Sequence, residues 1–569
     1  MCHPISHSVH KQFFILLISF TLTAVRIFAQ EAAYQISIDY DQQGERLRPV
    51  WAYFGYDEPN YTYMKDGKKL LSELAALSPV PVYVRAHNLL TSGDGSAALK
   101  WGSTNAYTED ENGNPVYQWN LVDSIMDTYV ARGMKPIVEI GFMPEALSVK
   151  PKPYRHDWKP GVDYDRVYTG WAYPPTDYKK WGQLVYEWVR HSVARYGEDE
   201  VKSWWWEVWN EPNIGYWRGT QEEYFKLYDY AADGVKRALP EARIGGPSTT
   251  GPRWDKAASY LENFLKHCAS GKNYATGKKG APLDFISFHG KGSPKVIDGY
   301  VQMNMAPQLN DAAKGFEIVN ASSFKHLPLL LTEFDPEGCA ACGMATNPEN
   351  AYRNGTMYSS YTASSFARLY DLADRYNVNL EGATSWSFEF EGQRWYDGFR
   401  DLATNGVDKP VLNVFRMYGM MQGNRLKVVN ANEISLDSIL KSSVRGDNPD
   451  VHALASADRR SMSIMVWNYH DADITKGDVL IRMHIKNIPG GKVFMSHYRI
   501  DRDNSNSYEV WKKMGSPQDV TDEQYKQLEK AGQLQLLHAP QWMTTTNGEV
   551  VLDFSLPSQG VSLLKLDYN

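Results

Sequence analysis

The sequence predicts an α/β protein, a parallel (β/α)8 (TIM) barrel followed by a smaller C-terminal β-sandwich-like domain. Between about residues 48 and 425, eight short apolar runs alternate with longer amphipathic segments, the rhythm of parallel strands and crossover helices. After Met421 that rhythm gives way to short strand-like segments such as Ser461-Met462-Ser463-Ile464-Met465-Val466 and Val550-Val551-Leu552-Asp553-Phe554. An open doubly wound sheet is the structural alternative, but no Gly-x-Gly-x-x-Gly turn follows an early strand.

The first 29 residues read as an export signal. Lys11 and three histidines precede the apolar run Phe13-Phe14-Ile15-Leu16-Leu17-Ile18, which fades through Thr21 and Thr23 to a cleavage site at Ile27-Phe28-Ala29. The run is short for a bilayer span, and an uncleaved anchor is the competing reading. No second apolar stretch of membrane length follows. The mature chain is therefore expected to be secreted or periplasmic, without membrane contact.

Residues 30–425 are assigned to the barrel and 426–569 to the β domain, with residues 34–38 a candidate extra strand of that second domain. Barrel strands are expected at residues 50–54, 82–85, 136–140, 204–209, 242–246, 285–288, 329–332 and 383–388. Helices are expected between them, as at residues 178–196 and 222–239. In the second of these, apolar residues recur at three and four, and Pro240 stops the helix. A further helix at residues 521–531 interrupts the β domain.

Composition narrows the function. At 569 residues the chain suits one large barrel plus a smaller domain, and 43% hydrophobic residues can fill both cores. A net charge of −7 and the lack of a long basic run argue against nucleic acid as a partner. The 18 Trp and 36 Tyr suit stacking on the C–H faces of sugars, although aromatics also simply fill cores. Of the four cysteines, Cys2 leaves with the signal and Cys268 sits on the inner face of a helix. Cys339 and Cys342 flank two alanines in a Gly- and Pro-containing loop. They lack the partners of a zinc site and the strand–helix setting of a redox motif, so a local disulfide is expected.

A barrel of this kind keeps its active groups at the C-terminal ends of its strands. Those ends carry Arg85, His87 and Asn88, then Glu139, then Asn210 and Glu211, His289 and Lys291, Glu333 and Asp335, and Glu389 and Glu391. Two carboxylates on opposite sides of one mouth suit glycoside cleavage, one protonating the leaving oxygen while the other attacks. Glu211 and Glu333 end the fourth and seventh strands, where a separation of about 5 Å, the retaining geometry, is within reach. Trp209 and Trp217 would give Glu211 an apolar setting, and Arg85 would keep Glu333 ionised. Asn210 would hydrogen-bond the hydroxyl next to the reacting carbon. Glu139 and Glu207 are expected inside the barrel as structural groups. Taken singly, His87 and His289 suit satisfied core histidines, and Asn-Glu-Pro arises by chance in roughly one such chain in fifteen. The eight-strand arrangement is what gives the set weight.

These residues together resemble glycoside hydrolase family 39, which holds β-xylosidases and α-L-iduronidases. Trp206-Glu207-Val208-Trp209-Asn210-Glu211-Pro212-Asn213 is similar to the family's acid/base segment and implies Glu211 in that role. Leu330-Leu331-Thr332-Glu333-Phe334 is similar to its nucleophile strand and implies Glu333. Arg85-Ala86-His87-Asn88 resembles the motif whose histidine binds sugar. Residues 142–148, Asp408-Lys409-Pro410-Val411-Leu412, and Tyr498 through Pro517 also fit the family pattern. Two features depart from its xylosidase branch. Phe288-His289-Gly290-Lys291-Gly292 looks like the iduronidase branch, where the lysine recognises a sugar carboxylate. The Cys339–Cys342 loop is not part of the general pattern, and a disulfide there would shape one wall of the pocket.

The expected function is a secreted retaining exo-glycosidase, most simply a β-xylosidase, acting on an oligosaccharide or polysaccharide and needing no cofactor or metal. Glu211 and Glu333 are the expected catalytic pair. Arg85, His87, Asn210, His289, Lys291 and Glu391 are the expected substrate-binding set. The alternatives are an α-L-iduronidase-like enzyme, with Lys291 reading a carboxylate, and a non-catalytic sugar-binding barrel. An insertion rich in Trp and Tyr, residues 154–173, would close the site into a pocket and favour exo action.

Overall fold

The computed structural model describes residues 34–472 and 477–568, together with Met1. Beyond Met1, the expected export signal and Cys2 lie outside the described residues.

Eight parallel strands form the first sheet: β1 (Tyr53–Tyr56), β2 (Tyr83–Ala86), β3 (Lys135–Ile140), β4 (Trp205–Val208), β5 (Arg243–Thr249), β6 (Phe285–Lys291), β7 (Leu329–Asp335) and β8 (Leu380–Ala383). Each pairs with its sequence neighbour, in order from β1 to β8. Closure comes from the chain just past β8: Ser385 donates its backbone N–H to Tyr53 O at 2.9 Å and accepts from Gly55 N at 3.0 Å. Strands buried on both faces read as apolar runs, and all seven residues of β7 are buried. The eighth strand ends earlier than the apolar run at 383–388 suggests, because at Ser385 the chain turns to bond β1. Trp386 follows directly. It packs so closely on Gly55 that a Cβ there would lie 2.4 Å from its ring.

The crossover helices follow the sequence pattern. One spans Tyr178–Tyr196, capped by the Asp177 carboxylate. The next, Gln221–Ala238, opens with a Thr220/Glu223 capping box and ends just before Pro240. The last barrel helix, Pro410–Met420, starts with a proline in its first turn, where no backbone donor is missed.

The second sheet is mixed and has ten strands. Its strands from opposite ends bury one shared core, including Ile464, Met483, Val493 and Leu564, as a sandwich does. The N-terminal strand Tyr34–Arg46 sits inside this sheet, antiparallel to Asn424–Asn430 and parallel to Val479–Lys486. The alternating Ile36 and Ile38 of this strand bury into the second core. The sheet docks on helix Thr356–Tyr376, between β7 and β8. Buried Asp450 accepts from Arg368, Ser364 and Trp467 there, each at 2.8 Å.

Because the N-terminal strand fills an interior slot, Ile38→Ala should cost about 2–5 kcal/mol, the usual penalty for emptying a core isoleucine site. Urea unfolding checks this; a cost under about 0.5 kcal/mol would mean that the strand is dispensable.

Candidate active site

The site grows from a guanidinium at the end of β2. Arg85 is fully buried, and its side chain meets Glu207 Oε2 at 2.6 Å, Glu139 Oε2 at 2.8 Å and Glu333 Oε1 at 3.4 Å. It also donates to Asn210 Oδ1 and Ser248 Oγ, both at 3.0 Å. The planar guanidinium fork is suited to serving several acceptors at once. Glu139 and Glu207 lie cross-register on β3 and β4, inside the barrel, as structural partners of this cation.

His87 adds a second positive centre. Its Nδ1 lies 2.7 Å from Asp57 Oδ1, and its Nε2 lies 3.2 Å from Glu139 Oε2 and 3.5 Å from Glu333 Oε1. Burial works against its charge, but the Glu139 and Asp57 carboxylates outweigh burial and raise its pKa to about 9. Burial lifts Glu139 to about 7, against the pull of His87 and Arg85.

The two candidate carboxylates have unlike settings. Glu333, near the end of β7, is clamped by Lys291 Nζ at 2.6 Å from Oε2; the same ammonium is 2.6 Å from Asp335 Oδ2. Burial alone would raise the pKa of Glu333, but His289, Lys291 and His87 outweigh it and hold the carboxyl well below the usual carboxylate range. Glu211 follows β4 in a left-handed backbone conformation, φ 42°, and Trp209 two residues earlier has φ 70°. Such backbone in non-glycine residues clusters at functional sites. Glu211 is pinned by its N–H to Ser248 O at 2.8 Å. Its Oε1 lies 2.9 Å from His289 Nδ1, while His289 Nε2 is 2.9 Å from Ser248 Oγ. One carboxylate oxygen of Glu211 and one of Glu333 come within 4.8 Å of each other.

Both carboxylates face a cavity of about 450 Å³. Its walls include Tyr164 and Tyr168 from the insertion at 154–173, Tyr216, Trp254, Trp386 and Cys339. Cys339 is disulfide-bonded to Cys342, with Cα atoms 5.4 Å apart. The buried Arg353 holds that loop by donating to the carbonyls of Cys339 at 2.7 Å and Cys342 at 2.9 Å.

The structure gathers Arg85, His87, Asn210, Glu211, His289, Lys291 and Glu333 at one mouth. It does not bring Glu391 there: that carboxylate accepts from Asp66 N at 2.9 Å, at the start of helix Lys65–Ala75. Trp209 and Trp217 pack on each other behind the site and do not line the cavity. Sequence reasoning missed Asp57, Lys100, Trp254 and Trp386. Asp57 follows β1 directly, so a survey of every strand end would have found it. Lys100 lies 43 residues further along and pairs with it, and no local pattern marks that contact.

Among the described residues, Glu211, His289 and Glu333 also have the spacing to hold a cation. Lys291 and His87 already supply positive charge to Glu333, which disfavours one.

With this geometry in view, comparison with known proteins is direct. The family model described as glycosyl hydrolases family 39 matches residues 34–546. The chain belongs to that family. Within it, a β-xylosidase of Caldicellulosiruptor saccharolyticus is 28% identical over 538 residues, 92% of this chain and 96% of that protein. An α-L-iduronidase of Mus musculus is 25% identical over 385 residues, 61% of this chain and 56% of that protein. The crystal structure of the family 39 enzyme from Xanthomonas axonopodis pv. citri shares the fold. Its TM-score is 0.73 at 22% identity, covering 96% of this chain and 99% of that one.

The raised pKa of His87 has a stability consequence. Below its ordinary value of 6.5, folded and unfolded chains both hold the proton and its contribution is complete. Between 6.5 and about 9 only the folded chain holds it, so stability should fall as pH rises through that window. Buried Glu58, raised to about 8, adds a slope of the same sign, so His87→Gln should make the fall shallower without abolishing it. Denaturant midpoints measured across the window check this, and an equal slope in variant and wild type would contradict it.

Proposed function

We propose that this family 39 glycoside hydrolase is an exported, retaining exo-glycosidase that removes terminal β-xylosyl units from oligosaccharides. The observation that carries the reading is the approach of Glu211 and Glu333 to within 4.8 Å, close to the roughly 5 Å separation of retaining enzymes. Inverting enzymes separate their carboxyl groups by about 6.5–9.5 Å to admit a water.

In this reading Glu333 attacks the anomeric carbon. The carbon–oxygen bond to the leaving group breaks as Glu211 gives that oxygen its proton. A glycosyl ester on Glu333 results. Water then attacks the same carbon, Glu211 takes up the water's proton, and Glu333 leaves as carboxylate. Lys291, His87 and Arg85 keep the nucleophile anionic, and His289 holds the Glu211 carboxyl. Asn210 Oδ1 accepts from Arg85, while its buried Nδ2 has no partner among the described residues. A buried amide donor left open is costly unless substrate fills it. It suits the hydroxyl beside the reacting carbon, where the bond strengthens in the transition state.

The β-xyloside reading is supported by the long match to a β-xylosidase and by the commitment of Lys291 to two carboxylates. An α-L-uronide is the second reading, favoured by the match to an α-L-iduronidase and by a lysine at the cavity wall. Exo action is supported by Tyr164 and Tyr168, which raise a wall around the site.

Hydrolysis of an aryl β-xyloside and an aryl α-L-iduronide, side by side, separates the readings. The xyloside should be cleaved, and Glu333→Ala should lower kcat by roughly 10⁴-fold or more. Release from the iduronide alone would reverse the order of the two, and Glu333→Ala with wild-type rates would remove Glu333 from the mechanism.

A further inference from the structure

The cavity holds one aromatic unlike the others. Tyr216 and Trp386 are buried, 5% and 2% exposed, and Tyr164 and Tyr168 are half-buried, whereas Trp254 is 56% exposed. It follows β5 and precedes helix Asp255–Ser270, and it lines the same cavity as Glu211. A large apolar side chain left open to water at a cavity wall calls for an explanation.

Its position gives one. The β5 loop is laced to the loop that carries Glu211. Asn213 Nδ2 donates to Thr250 Oγ1 at 2.6 Å, Thr250 N donates to Asn213 Oδ1 at 3.0 Å, and Glu211 N donates to Ser248 O. Trp254 therefore belongs to the side of the pocket that presents the proton donor. A glycosidic oxygen can take the Glu211 proton only if the group attached to it lies on that side. Trp254 stands on that side of the cavity.

The indole is also held. The Arg253 guanidinium lies over its ring, 5.5 Å from the centroid, and Arg253 Nε is tied to Asp311 Oδ1 at 3.4 Å. A cation over the ring is attracted to its π face and restrains it, while Trp254 stays 56% exposed. Apolar sugar faces stack on such rings.

We propose that Trp254, braced by Arg253, is the platform for the leaving-group sugar, a binding residue that selects saccharide over small leaving groups. The inference rests on the reading of Glu211 as proton donor in a β-xyloside-cleaving enzyme and extends it to the far side of the scissile bond. Microscopic reversibility gives a second consequence: a sugar that accepts the glycosyl group from Glu333 must use the same platform.

The test compares β-1,4-xylobiose with methyl β-xyloside, which share the cleaved sugar and differ in the leaving group. Trp254→Ala should lower the ratio of their kcat/KM values about tenfold, the loss of one stacking contact. Trp254→Phe, which keeps an aromatic face, should restore most of that ratio. With an aryl β-xyloside as donor, Trp254→Ala should also shift the partition of the glycosyl group from transfer onto added xylose toward hydrolysis by water. A purely structural role would lower all rates together and move neither the ratio nor the partition. An unchanged ratio and partition in Trp254→Ala would overturn the inference while leaving the xyloside reading intact. Wild-type silence on all three xylosides would overturn that reading, and this inference with it.

Discussion

Arg85 is the interaction on which the rest of the site depends. One guanidinium, wholly out of water, meets three glutamates from three other strands within 3.4 Å. A buried charge without partners is costly, and breaking such a set by removing one member typically costs about 3–5 kcal/mol. Strands β2, β3, β4 and β7 are therefore tied through one point at the top of the barrel. His87 repeats the arrangement one pleat further out, reaching the same Glu139 and Glu333. The barrel can carry this much buried charge because each cation serves several acceptors at once.

That arrangement makes the two facing carboxylates unequal. Glu333 sits where Arg85, His87 and Lys291 converge, and His289, Lys291 and His87 hold it as an anion against its own burial. Glu211 meets only His289 among these positive or protonatable groups, from a strained turn pinned to the neighbouring loop. Such a pair, one carboxylate fixed ionised and one beside it in a different setting, is what a double displacement requires. In the proposed mechanism the loops after β4 and β5 define the side from which a leaving group is protonated, and Trp254 lines the cavity there.

Much of this was legible in the sequence for a specific reason. Parallel strands buried on both faces leave apolar runs, and the polar residues that end those runs must point at the barrel mouth. Arg85, Asn210, Glu211, His289, Lys291 and Glu333 all follow that rule. Glu391 did not, because β8 ends at Ala383 and the chain beyond leaves the strand geometry. Its periodicity no longer says which way a side chain faces, and the carboxylate meets the start of a helix instead. Contacts between distant loops, such as Asp57 with Lys100, leave no local signal at all.

The most direct test of the central claim is to trap the sugar on the enzyme. A 2-deoxy-2-fluoro-β-xylosyl donor with a good leaving group slows both displacements and lets the glycosyl-enzyme accumulate. Mass spectrometry of the intact and digested protein then locates the adduct. The account predicts one fluoroxylosyl group per chain, on the peptide that carries Glu333. A label on any other carboxylate, or none from an enzyme that turns over xylosides, would contradict it.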